Sequence, residues 1–130
     1  MDELPIILVV EDEEPIQDFI EDALTDAGFH LMVSASGEEA LMLLQSGVVR
    51  YRALVTDISL KGGMNGWELA KQIREIEQSF PVVYITGASA DQWASQGVPH
   101  SILLEKPFAP AQLVTAVAQL LNTGNPPAPV

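Results

Sequence analysis

The sequence predicts an α/β fold, a doubly wound sheet of five parallel strands in which each strand is followed by a helix. Three observations lead there. Short apolar runs alternate five times with stretches whose apolar residues recur at helical spacing. The apolar runs are continuous rather than alternating, as strands buried on both faces are. Each run also ends in a polar or glycine-bearing step, where open α/β sheets place their ligands.

Leu4-Pro5-Ile6-Ile7-Leu8-Val9-Val10 is the first predicted strand, ending abruptly in Glu11-Asp12-Glu13-Glu14. Pro15 suits the first turn of a helix, where its missing N–H costs nothing. Ile16, Phe19, Ile20, Ala23, Leu24 and Ala27 then recur at helical spacing up to Gly28, a suitable stop. Phe29 to Ala35 is a weaker strand candidate. Ser36, followed three residues later by Glu39, has the form of a capping box and opens a second helix that ends near Gly47.

The central strand, about Arg52 to Asp57, leads into the turn Gly62-Gly63-Met64-Asn65-Gly66. A third helix from about Asn65 carries Leu69, Ala70, Ile73 and Ile76. Pro81 to Thr86 is the fourth strand, and a short helix through Trp93 stops at Gly97-Val98-Pro99. The fifth strand, about Ser101 to Glu105, ends in Lys106-Pro107-Phe108, and a last helix runs from about Pro110 to Leu121. Residues 1–122 are expected to form one domain, with 123–130 a disordered, Pro-rich tail. Right-handed crossovers would cover the sheet on both faces.

Composition removes several function classes. Hydrophobic residues make up 48% of the 130 residues and charged ones 18%, as in a globular protein rather than a disordered chain. Eighteen acids against six bases give a formal charge of −12, and no Lys/Arg cluster is present for phosphate contacts, so direct nucleic-acid binding is not expected. No apolar run approaches the roughly 20 residues that span a bilayer, and no basic signal region opens the chain, so a cytoplasmic location is expected and no membrane partner. The absence of cysteine removes disulfides, thiolate nucleophiles and Cys-based zinc sites.

Glu11 and Asp12, Asp57, Thr86 and Lys106 all stand at carboxyl ends of predicted strands, so a parallel sheet gathers them on one edge. Two unit charges about 4 Å apart repel by roughly 4 kcal/mol at an effective dielectric near 20, so a bare carboxylate cluster is costly. A hard divalent cation relieves it. Magnesium suits, because it takes one or two carboxylates, keeps several waters and accepts phosphate oxygens. Lys106 adds a second positive charge and Thr86 a hydroxyl. Together they form a plausible phosphoryl-transfer site with Asp57 as acceptor, since such catalysis is mainly positioning and charge neutralisation.

Taken in order, Val9-Val10-Glu11-Asp12, Val55-Thr56-Asp57, Gly62-Gly63-Met64-Asn65-Gly66, Ile85-Thr86-Gly87 and Lys106-Pro107-Phe108 resemble the bacterial two-component receiver domain, the CheY-like module of response regulators. The resemblance runs from Ile6 to about Leu121. It implies a flavodoxin-like strand order 2-1-3-4-5. It also implies that Asp57 accepts phosphate from a phosphohistidine on a histidine kinase or phosphotransfer protein. Magnesium would be held by Glu11, Asp12, Asp57 and the backbone carbonyl of Ser59. Thr86 would bond a phosphoryl oxygen, Lys106 would pair with Asp57 and then with the phosphate, and Lys106-Pro107 would be a cis peptide. The protein would be a phosphoacceptor that catalyses its own modification, not an enzyme with a separate substrate. Its output would pass through protein contacts on the face of helix 4, strand 5 and helix 5.

Two departures from that pattern stand out. Many receivers carry an aromatic three residues before the lysine, and here the position is Leu103. Tyr84 or Trp93 could take that part, or both could simply pack in the core or at its margin. The last helix carries Gln112, Thr115, Gln119 and Asn122 and no charge, so a salt-bridged dimer through it is not expected. With no effector domain after Leu121, a stand-alone regulator is expected. Two alternatives remain: a phosphorylation-independent scaffold, and a magnesium-dependent hydrolase. The hydrolase would usually carry a second Asp two residues after the nucleophile, where this chain has Ser59.

Overall fold

The computed structural model describes residues 5–123. Its elements follow in the expected alternation: β1 (Ile6–Val10), α1 (Glu14–Asp26), β2 (His30–Ser34), α2 (Gly37–Ser46), β3 (Ala53–Asp57), α3 (Gly66–Ile76), β4 (Val82–Thr86), a 3-10 turn at Ala90–Gln92 running into the single-turn α4 (Trp93–Gln96), β5 (Ile102–Glu105) and α5 (Pro110–Thr123). The five strands form one parallel sheet in the order β2-β1-β3-β4-β5. Thr123 ends α5 rather than opening a tail, and the rest of the expected tail, 124–130, lies outside the described residues.

Period-two geometry sends successive side chains of a strand to opposite faces, and the continuous apolar strands use both. Leu8 and Val10 of β1, with Leu54, Val82 and Tyr84, pack against Ala40 of α2 and Leu69, Ala70 and Ile73 of α3. Ile7 and Val9, with Val55, Val83 and Ile85, pack against Ile20 and Leu24 of α1 and Leu113 and Val117 of α5. Each fully buried aliphatic contributes about 1.5–3 kcal/mol. Edge strand β2 alternates exposed and half-buried residues before buried Ser34, which explains its weak sequence signal.

Local chemistry sets the boundaries. Pro15 occupies the first turn of α1, and Gly28, at φ +93°, ends it. At α2 the expected capping box is half formed. The Ser36 side chain accepts the Glu39 N–H at 3.1 Å, but the Glu39 carboxylate takes the Ser34 hydroxyl at 2.8 Å, tying the helix to β2. The complete box sits at α3. There the Asn65 side chain accepts from Glu68 N–H and the Glu68 carboxylate from Asn65 N–H.

Gly66, the first residue of α3, lies directly against the end of β3. A Cβ there would stand 2.3 Å from the Asp57 carbonyl oxygen and 2.9 Å from Ile58 Cα, both backbone atoms that cannot swing aside. Gly66→Ala is therefore expected to lose about 1–3 kcal/mol, read from the shift in urea midpoint at unchanged slope.

Candidate functional site

The sheet register staggers its carboxyl ends so that the predicted residues converge. Asp57 is opposite Ile85, so Thr86 lies one step further along β4, and Thr86 is opposite Glu105, one step before Lys106. Lys106 N–H continues the ladder to the Thr86 carbonyl at 2.8 Å, and Lys106–Pro107 is a cis peptide.

Glu11 directly follows β1, its N–H donating to the Ser34 carbonyl at 3.0 Å, and it is completely buried. Its Oε2 accepts the Glu13 N–H at 3.1 Å, whereas Oε1 has no hydrogen-bond partner. Asp12 is half-buried and accepts the Lys61 N–H at 3.0 Å. Asp57, 5% exposed, accepts the Ser59 N–H on Oδ1 at 3.3 Å. Lys106 Nζ lies 3.4 Å from Asp57 Oδ2 and 3.7 Å from Glu11 Oε1, placing one ammonium between two buried carboxylates. Thr86 is buried, and its Oγ1 accepts the N–H groups of Ala88 and Ser89 at 3.1 and 2.8 Å. Its own proton remains as a donor.

Glu13, which is not among the expected ligands, joins the group. It flanks α1, and one carboxylate oxygen from each of Glu11, Asp12, Glu13 and Asp57 lies within 4.8 Å of the others. The run Glu11-Asp12-Glu13-Glu14 at a strand-to-helix junction was the available signal, since the chain reversal there turns consecutive acids toward one point. Against four carboxylates stands one lysine. Burial, then the neighbouring Asp57 charge, pushes the Glu11 carboxyl up to about 7, although the Glu13 N–H and Lys106 pull it down.

The site is thus short of positive charge. An all-carboxylate oxygen set, in which the buried Glu11 Oε1 accepts no hydrogen bond and has Lys106 Nζ 3.7 Å away, fits a hard cation.

The remaining singled-out residues lie elsewhere. Tyr84 is fully buried, its ring 4.7 Å from that of Trp67, and its hydroxyl accepts the Val98 N–H. Trp93 is 39% exposed and donates its indole N–H to Ser101 Oγ. Leu103 is half-buried against the Tyr84 side of the core. His30 and His100 are exposed and outside the acidic cluster. Among the described residues no helix is long and apolar enough to cross a membrane.

Strand order 2-1-3-4-5 with a carboxylate, a hydroxyl and a lysine at neighbouring strand ends defines a flavodoxin-like domain with an acidic pocket at its carboxyl edge. The chain belongs to the response regulator receiver domain family, whose sequence profile matches residues 7–118. A response regulator receiver protein from Sinorhizobium medicae WSM419 superposes with a TM-score of 0.89 at 48% identity, covering 94% of this chain and 98% of that one. A putative response regulator from Chloroflexus aurantiacus gives a TM-score of 0.81 at 28% identity, covering 92% and 98%. The transcriptional regulatory protein CusR of Escherichia coli is 29% identical over 120 residues, which is 91% of this chain and 52% of CusR. The chain therefore spans about half the length of that relative.

The Glu11 shift carries a sign. Between its ordinary value of 4.5 and about 7 the folded state holds a proton that the unfolded state has lost, so this group's stabilising contribution falls as pH rises through that window. In cation-free buffer, thermal melts from pH 4.5 to 7 should show this decline, and Glu11→Gln should flatten it relative to wild type. Parallel profiles for the two proteins would refute the assignment.

Proposed function

We propose that Asp57 accepts a phosphoryl group from a phosphohistidine on a histidine kinase or phosphotransfer protein, in a magnesium-dependent reaction that the domain itself promotes. The observation that carries this reading is the placement of Asp57. It is a buried carboxylate at the end of the central strand, 3.4 Å from the Lys106 ammonium and beside an acidic cluster that fits a hard cation. Family membership supports it.

In this reaction the Asp57 carboxylate attacks phosphorus, forming an acyl phosphate O–P bond as the N–P bond breaks, and the electron pair leaves with the imidazole. Magnesium, held by Glu11, Asp12, Asp57 and the Ser59 carbonyl, would neutralise phosphoryl charge. Lys106 pairs with Asp57 beforehand and turns to a phosphoryl oxygen afterwards. Thr86 donates its free proton to another, which moves it relative to the Ala88 and Ser89 amides it now accepts from. The product adds about −1.5 to −2 charges, and later attack by water restores the carboxylate. The domain is thus a self-modifying phosphoacceptor rather than an enzyme with a separate substrate.

The output passes through protein contacts. The α4–β5–α5 face is the surface we assign to them, and α5 brings no charged side chain to it. A net charge of −12 and the absence of clustered bases speak against these residues contacting nucleic acid themselves, and a cytoplasmic setting goes with a kinase partner.

Incubation with magnesium and acetyl phosphate should give a labile, phosphate-sized mass gain on the wild type and none on Asp57→Ala. Lys106→Ala should slow the gain by about 10²-fold, as removal of one charge-stabilising donor does. A folded wild type that gains nothing from either acetyl phosphate or a phosphorylated kinase would exclude the proposal.

A further inference from the structure

We infer that Glu38 is a positioning residue for the phosphoacceptor site, acting through the β3–α3 loop on Asp12. The inference rests on the phosphoacceptor reading above. Two acids occupy the first turn of α2, where the helix dipole favours negative charge. They turn in different directions. Glu39 reaches back to Ser34, whereas Glu38 reaches across to a loop 25 residues further on, where its Oε2 accepts the Gly63 N–H at 3.0 Å.

Gly62 and Gly63 are shaped to receive that carboxylate. A Cβ on Gly63 would lie 3.2 Å from Glu38 Oε2 and one on Gly62 3.4 Å from Oε1, and Gly62 has φ +102°, which favours glycine. From the loop side the Met64 side chain covers Gly37, where a Cβ would meet it at 3.3 Å. Loop and helix start are thus interlocked at two points.

The other end of the same segment is tied to the site. Lys61 N–H donates to Asp12 Oδ2 at 3.0 Å, two residues before Gly63. The segment 61–63 is therefore held between two carboxylates, one in the acidic cluster and one on a helix outside it. Freed at Gly63, the loop would no longer present the Lys61 amide at a fixed point, and Asp12 would lose the bond that orients it. Partners of this kind, one step behind a metal ligand, commonly change metal affinity without touching the metal.

Glu38 is exposed, so its variants should fold. E38A and E38Q both remove its charge, but the glutamine carbonyl can still accept from Gly63 N–H, so the difference between them isolates the hydrogen bond. Magnesium titrated calorimetrically into E38A should bind about tenfold more weakly than to wild type, with a slower acetyl phosphate reaction, and E38Q should recover most of both losses. Equal behaviour of the two variants, whether both weakened or both like wild type, would overturn the inference. Amide exchange in cation-free protein gives an independent reading. Lys61 and Gly63 should exchange faster in E38A and not in E38Q, and unchanged exchange in E38A would also overturn it. A wild type that neither binds magnesium nor takes up phosphate would fail the phosphoacceptor reading itself, while the exchange comparison would still judge the loop contact.

Discussion

Mutual repulsion among carboxylates at one edge of the sheet is the constraint to which the surrounding structure answers. Glu11, just past β1, and Asp57, at the end of the neighbouring β3, are buried with Asp12 and Glu13 close by, and two negative charges in such surroundings oppose folding unless something intervenes. Three things intervene. Lys106 is brought between Glu11 and Asp57 by the ladder contact with Thr86. Backbone N–H groups of Glu13, Ser59 and Lys61 supply partial positive charge. The Glu11 carboxyl holds its proton up to about 7. What remains uncompensated is negative charge, which suits the site to a hard cation.

Much of this was legible in the sequence because the relevant features are local. Continuous apolar runs gave away strands buried on both faces, and Pro15, Gly28 and Gly47 marked helix limits through backbone preferences that hold in any context. Asp57, Thr86 and Lys106 could be placed together because a parallel sheet turns strand ends into neighbours. What escaped depended on where side chains travel. Glu39 satisfies the capping pattern in spacing, yet a tertiary partner, Ser34, takes its carboxylate. Nothing local distinguishes Glu13 from Glu14, or Glu38 from any acid at a helix start, because what separates them is the nearness of Asp57 in one case and a bond spanning 25 residues in the other.

The departure at Leu103 also has a structural reading. Tyr84 lies opposite it on β4, fully buried, with its hydroxyl engaged by Val98 and its ring against Trp67. It is a core side chain, and a swing of this ring would sacrifice both contacts. Trp93, leaning over Gly97 and bonded to Ser101, is the aromatic nearer to solvent on this side of the domain.

The two-sided sheet has a consequence for how this sequence can drift. Leu8 and Val10 serve one core while Ile7 and Val9 serve the other, and the two sets of buried residues have no member in common. Ile73 shares its core with Tyr84 and Leu54 but not with Val55, although Val55 is the direct chain neighbour of Leu54. The domain therefore carries two separately mutable interiors on one shared backbone. Covariation among its descendants should divide into two groups that interleave residue by residue along each strand.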